Sequence, residues 1–116
     1  MQREETRPFI YPSSHCLVNQ HEVNERMRKV LVDWLIEVHL NFKLLPETLF
    51  IAIKLIDKYT EREQVSRKEF QLLGVTCLLI AAKYEEIYPP YIKDFIYVTD
   101  SAYTREQILE KELKVL

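Results

Sequence analysis

Glycine is nearly absent from this chain, which has a single glycine, Gly74, among its 116 residues. The turns of β-hairpins depend heavily on glycine, and a chain of many short strands needs such a turn every few residues. A sandwich or barrel is therefore not expected. The composition instead favours long helices that short loops connect, and we predict an all-α fold.

The chain also lacks a large excess of charge of either sign. It has 16 Lys and Arg and 18 Asp and Glu, which gives a net charge of −2. This balance does not indicate a surface that tracks phosphates, so we predict no nucleic-acid partner. No apolar run approaches the roughly 18 residues that span a bilayer. The charged start of the sequence, MQREETRP, does not resemble a secretory signal. We expect no membrane partner.

Nucleophiles and metal ligands are few. Cys16 and Cys77 are the two cysteines, and Cys77 lies in the most apolar run, so we expect no disulfide between them. His15 and Cys16 are neighbours on a stretch without defined geometry, and Glu85 and Glu86 do not face each other across a substrate. The histidines have no metal-ligand spacing, and no glycine loop is present to cradle a phosphate. We predict no catalytic residue, no metal and no cofactor.

Helix caps and breakers divide the chain. Asn24 and Pro46 begin the first two helices, and capping boxes at Ser66 and Thr104 begin the third and the fifth. Residues 1–22 are polar and interrupted by prolines, which is typical of an extended arm, and residues 23–116 form one helical domain. The predicted helices cover residues 24–42, 46–60, 66–86, 91–98 and 104–116.

The first helix is apolar on two opposite sides, so we expect it to lie at the centre of the domain with the third helix, which has no charge from Phe70 to Ala82. Between those two sides of the first helix lies a further group at helical spacing, Met27, Val30, Trp34 and Glu37. A large aromatic ring, apolar neighbours and a carboxylate are typical of a half-exposed docking surface.

Lys83 lies where the apolar third helix ends, and the residues alone leave two interpretations open. The ammonium group interacts with the helix dipole while its stem covers apolar surface, or it contacts a partner. An apolar group follows it in the sequence, with Tyr84, Ile87 and Tyr88. An exposed group of this size usually marks an interface.

Three stretches resemble one family, the cyclins. They are MRKVLVDWLIEVH, LLPETLFIAIKLIDKY and FQLLGVTCLLIAAKYEEIYPP. Together they match the first three helices of the family's five-helix box. The sequences NFKLLPETLF and AAKYEE are most similar to the mitotic B-type subgroup. The resemblance implies a cyclin box and an intracellular location, in the nucleus, the cytoplasm or both.

The resemblance implies a regulatory subunit that binds and activates a cyclin-dependent protein kinase. In the family, the lysine that Lys83 matches bonds backbone at the movable helix of the kinase. Glu112 matches the glutamate beside it when counted forward from Tyr103, and loses that register when counted back from Leu116. The implied kinase-binding residues are Lys83, Tyr84, Glu86, Ile87, Tyr88 and Glu112.

The resemblance also implies a groove that docks short basic-then-leucine motifs of substrates or inhibitors. In such a groove, apolar surface binds the leucine side chain, and a carboxylate binds the basic side chain. Val30 and Phe70 replace other apolar groups of the family's groove, which leaves the preferred motif open. Arg28 and Asp57 match a buried ion pair. The implied docking residues are Met27, Val30, Leu31, Trp34, Glu37, Phe70, Gln71 and Asp100.

Cyclins of this type usually carry a second five-helix box, and this sequence reaches Leu116 without one. We expect a fragment or a reduced member that binds the kinase more weakly. Two other functions stay open. One is a cyclin-fold binding module of the kind found in general transcription factors, and the other is a kinase binder that does not activate.

Overall fold

The computed structural model describes Leu17 and residues 20–116. Within this part of the chain there are five α-helices and no strand, which confirms the all-α prediction. A short 3₁₀ helix, Arg67–Glu69, directly precedes the third α-helix. The α-helices are α1 (Glu25–Asn41), α2 (Pro46–Arg62), α3 (Phe70–Glu85), α4 (Ile92–Val98) and α5 (Arg105–Val115).

The helices begin at the residues that local capping dictates. The Asn24 side chain accepts from the Met27 amide at 2.9 Å, and Pro46 occupies the first turn of α2. Ser66 and Thr104 each form a complete capping box. Two predicted bounds differ from the structure. α2 continues to Arg62, beyond the predicted end near residue 60, and the third helix begins with one 3₁₀ turn, as helix N-termini often do.

α3 is the helix around which the others pack, since it contacts all four of them. Its residues from Leu72 to Leu79 are all buried, because the run contains no charged side chain that needs water. A Cβ at Gly74 would lie 2.8 Å from a methyl carbon of Leu31. Glycine therefore lets the Leu31 side chain of α1 lie directly against α3.

α1 packs against α2 and α3 with one side and leaves another in solvent. Leu35 is fully buried, whereas Val30 is 64% exposed. At the end of α1, the Phe42 ring meets the buried Phe95 ring of α4 edge to face, with centroids 5.3 Å apart. This contact fixes the position of α4 beside the outward face of α1.

Arg28 joins α1 to α2. Its side chain is 2% exposed, and its Nε and Nη2 donate to the two carboxylate oxygens of Asp57 at 3.0 and 2.9 Å. Two parallel charge-assisted hydrogen bonds hold both side chains in one geometry. The ion pair therefore sets how α1 lies against α2.

The predicted arm over residues 1–22 falls mostly on positions outside the described residues, as do its prolines, His15 and Cys16. The described part contacts the domain. Leu17 is buried, and the Gln20 side chain donates to the carbonyls of Thr60 and Glu63 at 2.8 and 2.6 Å. These carbonyls at the end of α2 have no partner within the helix, so Gln20 completes its C-terminus.

Candidate functional site

The first candidate surface is formed where α3 ends beside α5. The Lys83 Nζ lies 2.6 Å from a carboxylate oxygen of Glu112, and the two side chains are 49% and 13% exposed. The ammonium group is thus held in place while half of the side chain stays in water. Glu112 comes from α5, so packing of α5 against α3 is what brings the two charges together.

Large apolar side chains surround this ion pair. Tyr84, Ile87 and Tyr88 are 80%, 86% and 91% exposed. Lys83, Ile87 and Tyr88 also line a concavity of about 720 Å³ whose other wall comes from α4 and α5. Monomeric proteins rarely leave such a group in water unless it binds something. We call Lys83, Tyr84, Ile87, Tyr88 and Glu112 the α3-exit surface.

Glu86 has a partner within the domain. Its carboxylate accepts from the Leu45 amide at 2.6 Å and from the Thr48 hydroxyl at 2.5 Å. Leu45 is the N-cap of α2 and provides no side-chain cap, so the Glu86 carboxylate takes that place at the positive end of the helix dipole. Glu86 thereby fixes the chain where it leaves α3.

The second candidate surface is an apolar groove between α1 and the start of α3, with a volume of about 410 Å³. Its floor comes from Leu31 and Phe70, which are buried, and its rim includes the exposed Val30. The groove brings together six of the predicted docking residues and adds Arg26 and Arg67. The lining residues are Arg26, Met27, Val30, Leu31, Trp34, Arg67, Phe70 and Gln71.

The two predicted acidic docking residues lie in an adjoining hollow. Glu37 and Asp100 line a concavity of about 560 Å³ together with Tyr97, and Trp34 belongs to both this hollow and the apolar groove. Asp100 has a φ of 58°, a left-handed conformation that aspartate tolerates better than most residues. The predicted site is therefore two neighbouring concavities that share one indole ring.

Gly74 lies against Leu31, which forms part of the groove floor, so a substitution at Gly74 should be felt in the groove. Gly74→Ala stabilises the helix by about 1 kcal/mol through helix propensity, but the added Cβ displaces the Leu31 side chain. We expect the free energy of unfolding to change by less than about 1 kcal/mol, since displacement offsets the gain. Methyl NMR should show shifted Leu31 resonances, with the Leu79 methyls of the same helix as the internal control. Unchanged Leu31 resonances would contradict the close approach.

Neither surface resembles a catalytic centre. Cys77 is fully buried, and burial raises the pKa of its thiol far above the usual value, so the reactive thiolate does not form. Among the described residues, no group of three or more His, Cys, Asp or Glu side chains is placed to hold a metal ion. Both surfaces instead have the features of protein-binding sites.

Some site residues are absent from the sequence-based prediction. Arg26 lies four residues before Val30 on the same face of α1, so helical spacing was a usable signal for it. Arg67 comes from the 3₁₀ helix, and Tyr97 from α4. Only the packed arrangement of the helices places these two beside α1.

Known proteins resemble the chain throughout its length. A family model described as the cyclin N-terminal domain matches residues 1–116. G2/mitotic-specific cyclin-B of Marthasterias glacialis is 57% identical over 95 residues, which cover 82% of this chain and 24% of that protein. Cyclin-B1-1 of Oryza sativa subsp. japonica is 51% identical over 112 residues, which cover 97% of this chain and 24% of that protein. The chain thus spans about a quarter of the length of these relatives.

A viral cyclin from herpesvirus saimiri has the same fold. The two structures superpose with a TM-score of 0.81 over 97% of this chain and 49% of the viral chain, at 23% sequence identity. None of the described helices is both long and apolar enough to cross a membrane. Cyclins are non-catalytic regulatory subunits of protein kinases, and the curated relatives are mitotic B-type members. The chain belongs to the cyclin family, and it matches the N-terminal domain of that family.

Proposed function

We propose that this domain binds a cyclin-dependent protein kinase through the α3-exit surface and activates it. One observation carries the proposal. In the Lys83–Glu112 ion pair the lysine side chain is half exposed, and the pair lies among three large, solvent-exposed side chains, Tyr84, Ile87 and Tyr88. In protein interfaces, most of the binding energy comes from a small number of large side chains that surround a few charged groups held in fixed positions.

The proposed mechanism shifts a conformational equilibrium of the kinase. An active protein kinase needs its strand lysine paired with a glutamate of a movable helix. A partner that binds this arrangement more tightly than the inactive one increases its population and supplies no catalytic group. Lys83 would donate to kinase backbone carbonyls and Glu112 would accept from amides. The ion pair between them keeps both side chains oriented before the kinase arrives.

Glu86 has a different part in the proposal. Because its carboxylate already accepts two hydrogen bonds from the start of α2, it acts by positioning the segment that carries Ile87 and Tyr88. We assign it to the kinase-binding set as a positioning residue.

The second part of the proposal concerns recruitment of substrates or inhibitors. The apolar groove floored by Leu31 and Phe70 would take the leucine of a basic-then-leucine motif, and Glu37 and Asp100 would take the basic residue. The shared Trp34 supports this assignment, since it lines both concavities and so makes them neighbours. Two surfaces, one at the start of α3 and one at its end, would let the domain hold a kinase and its substrate together.

A reconstituted kinase assay tests the main proposal. The purified chain is mixed with a cyclin-dependent kinase, and binding and phosphate transfer to a protein substrate are measured. We expect a higher rate with the chain. With Lys83→Ala we expect kinase binding to weaken about tenfold, since close charge pairs across an interface contribute about 1.5 kcal/mol or more. Lys54→Ala, another exposed lysine, is the control and should leave binding unchanged.

Other outcomes would identify the alternatives. Binding without a rate increase would contradict activation and favour a kinase binder that does not activate. If the chain does not bind the kinase but retards duplex DNA in a gel-shift assay at physiological salt, a module of the transcription-factor type would be favoured. Full activation by Lys83→Ala would contradict the assignment of Lys83.

A further inference from the structure

We propose that the apolar groove takes a peptide with opposite charges at its two ends, a basic residue before the leucine and an anionic residue after it. The proposal rests on the docking function proposed above and adds a second charged subsite to it. The added subsite consists of Arg26 and Arg67, which line the groove beside Val30 and Phe70.

The two arginines are available for a ligand. Both side chains are exposed, and neither guanidinium has a hydrogen-bond or ion-pair partner among the described residues. The Glu22 carboxylate is near, but it accepts from the Arg67 backbone amide at 2.9 Å. This hydrogen bond and the Ser66 capping box fix the 3₁₀ helix that carries Arg67, so the subsite has a defined backbone.

The basic and acidic ends lie on one face of α1. Arg26, Val30, Trp34 and Glu37 follow at spacings of four, four and three residues, which keeps them on the same side of a helix. From Arg26 to Glu37 the helix rises by about 16 Å. The groove therefore runs along α1 from an arginine pair, past apolar side chains and Trp34, to the acidic hollow.

This length sets the spacing of the charges in the peptide. An extended chain advances by about 3.3 Å per residue, so this distance corresponds to about five steps along the peptide, from its first residue to its sixth. A basic residue at Glu37 then places a leucine two positions later over the apolar floor, and an anionic residue three positions after the leucine beside Arg26 and Arg67. The expected pattern is basic-x-leucine-x-x-anion.

The anion is a carboxylate or a phosphate group. Guanidinium groups bind both with paired hydrogen bonds. Phosphoserine carries about 1.5 to 2 negative charges near neutral pH, against one for glutamate. Phosphorylation at this position would therefore strengthen docking on a groove that is otherwise apolar.

Peptide binding to the purified chain tests the inference. Fluorescence anisotropy is measured with four labelled peptides of sequence Arg-Ala-Leu-Ala-Ala-X, where X is serine, phosphoserine, glutamate or lysine. We expect phosphoserine to bind about fivefold and glutamate about twofold more tightly than serine, as partly screened ion pairs do. The glutamate peptide separates an acidic residue from a phosphate as the source of the gain. Higher salt should reduce both gains.

The double variant Arg26→Ala, Arg67→Ala supplies the second measurement. It should abolish both gains, each of which is taken as the ratio of that peptide's affinity to the serine peptide's affinity for the same variant. Equal affinities for the serine, glutamate and phosphoserine peptides would overturn the inference, as would gains that persist in the double variant. Failure of all four peptides to bind would instead overturn the docking function on which the inference rests, so the two failures are distinguishable.

Discussion

Replacement of Arg28 by alanine is expected to lower the free energy of unfolding by about 3–5 kcal/mol, the usual effect of removing one partner from a buried ion pair. The Arg28 side chain is 2% exposed and forms two hydrogen bonds to Asp57. Its removal leaves a carboxylate in a largely desolvated position between α1 and α2. Chemical unfolding followed by circular dichroism measures the change.

Arg26→Ala is the matched control, because Arg26 lies on the same helix but is exposed and has no ion-pair partner among the described residues. Its free energy of unfolding should stay within about 0.5 kcal/mol of the original. A midpoint for Arg28→Ala that coincides with that of the control would contradict the structural role of the ion pair. Kinase activation is expected to fall together with stability, since the ion pair sets how α1 lies against α2.

Local rules account for most of the helix bounds. A capping box needs two residues three positions apart, so Ser66–Glu69 and Thr104–Gln107 were recognisable without any knowledge of packing. The end of α2 is different. Its last turn extends to Arg62, and the Gln20 amide donates to the carbonyl of Thr60 in that turn, 40 positions away. A contact at that separation has no local signal in the sequence.

The apolar groove and the adjoining acidic hollow likewise depend partly on local sequence and partly on packing. Their α1 residues follow from helical spacing, because Val30 and Trp34 lie on one face of the helix whatever surrounds them. Arg67 and Tyr97 reach the surface through the packing of α3 and α4, which periodicity does not specify. Helical spacing therefore predicts the α1 side of each concavity. On the opposite side the resemblance implies Phe70, Gln71 and Asp100, whereas Arg67 and Tyr97 follow only from the tertiary arrangement.

The position of Glu112 on α5 is clear from the structure but not from the sequence. Counted from Tyr103, Glu112 falls in the family's position, and counted from Leu116 it does not. In the structure the Glu112 carboxylate lies 2.6 Å from the Lys83 ammonium group. This distance supports the first count, because it places on one surface the two residues that the resemblance pairs.

Reversal of charge at this pair should give the largest effect on kinase binding. Lys83→Glu places two carboxylates together in the α3-exit surface, and we expect kinase binding to weaken by more than about tenfold, in line with a lost interface charge pair. Thermal stability should change little, since Lys83 is half exposed and a pair with one such partner in water contributes about 1 kcal/mol. Kinase binding by calorimetry and the melting temperature are measured on the same preparation.

The double variant Lys83→Glu, Glu112→Lys separates an internal role from a role in binding. It restores opposite charges within the domain, so any loss of stability in the single variant should be recovered. If Lys83 and Glu112 serve only to join α3 to α5, kinase binding recovers with stability, and the proposed contact is wrong. If each group faces a kinase group of fixed polarity, binding stays weak in a fully folded protein, because a carboxylate cannot donate to the carbonyls that the ammonium group would contact.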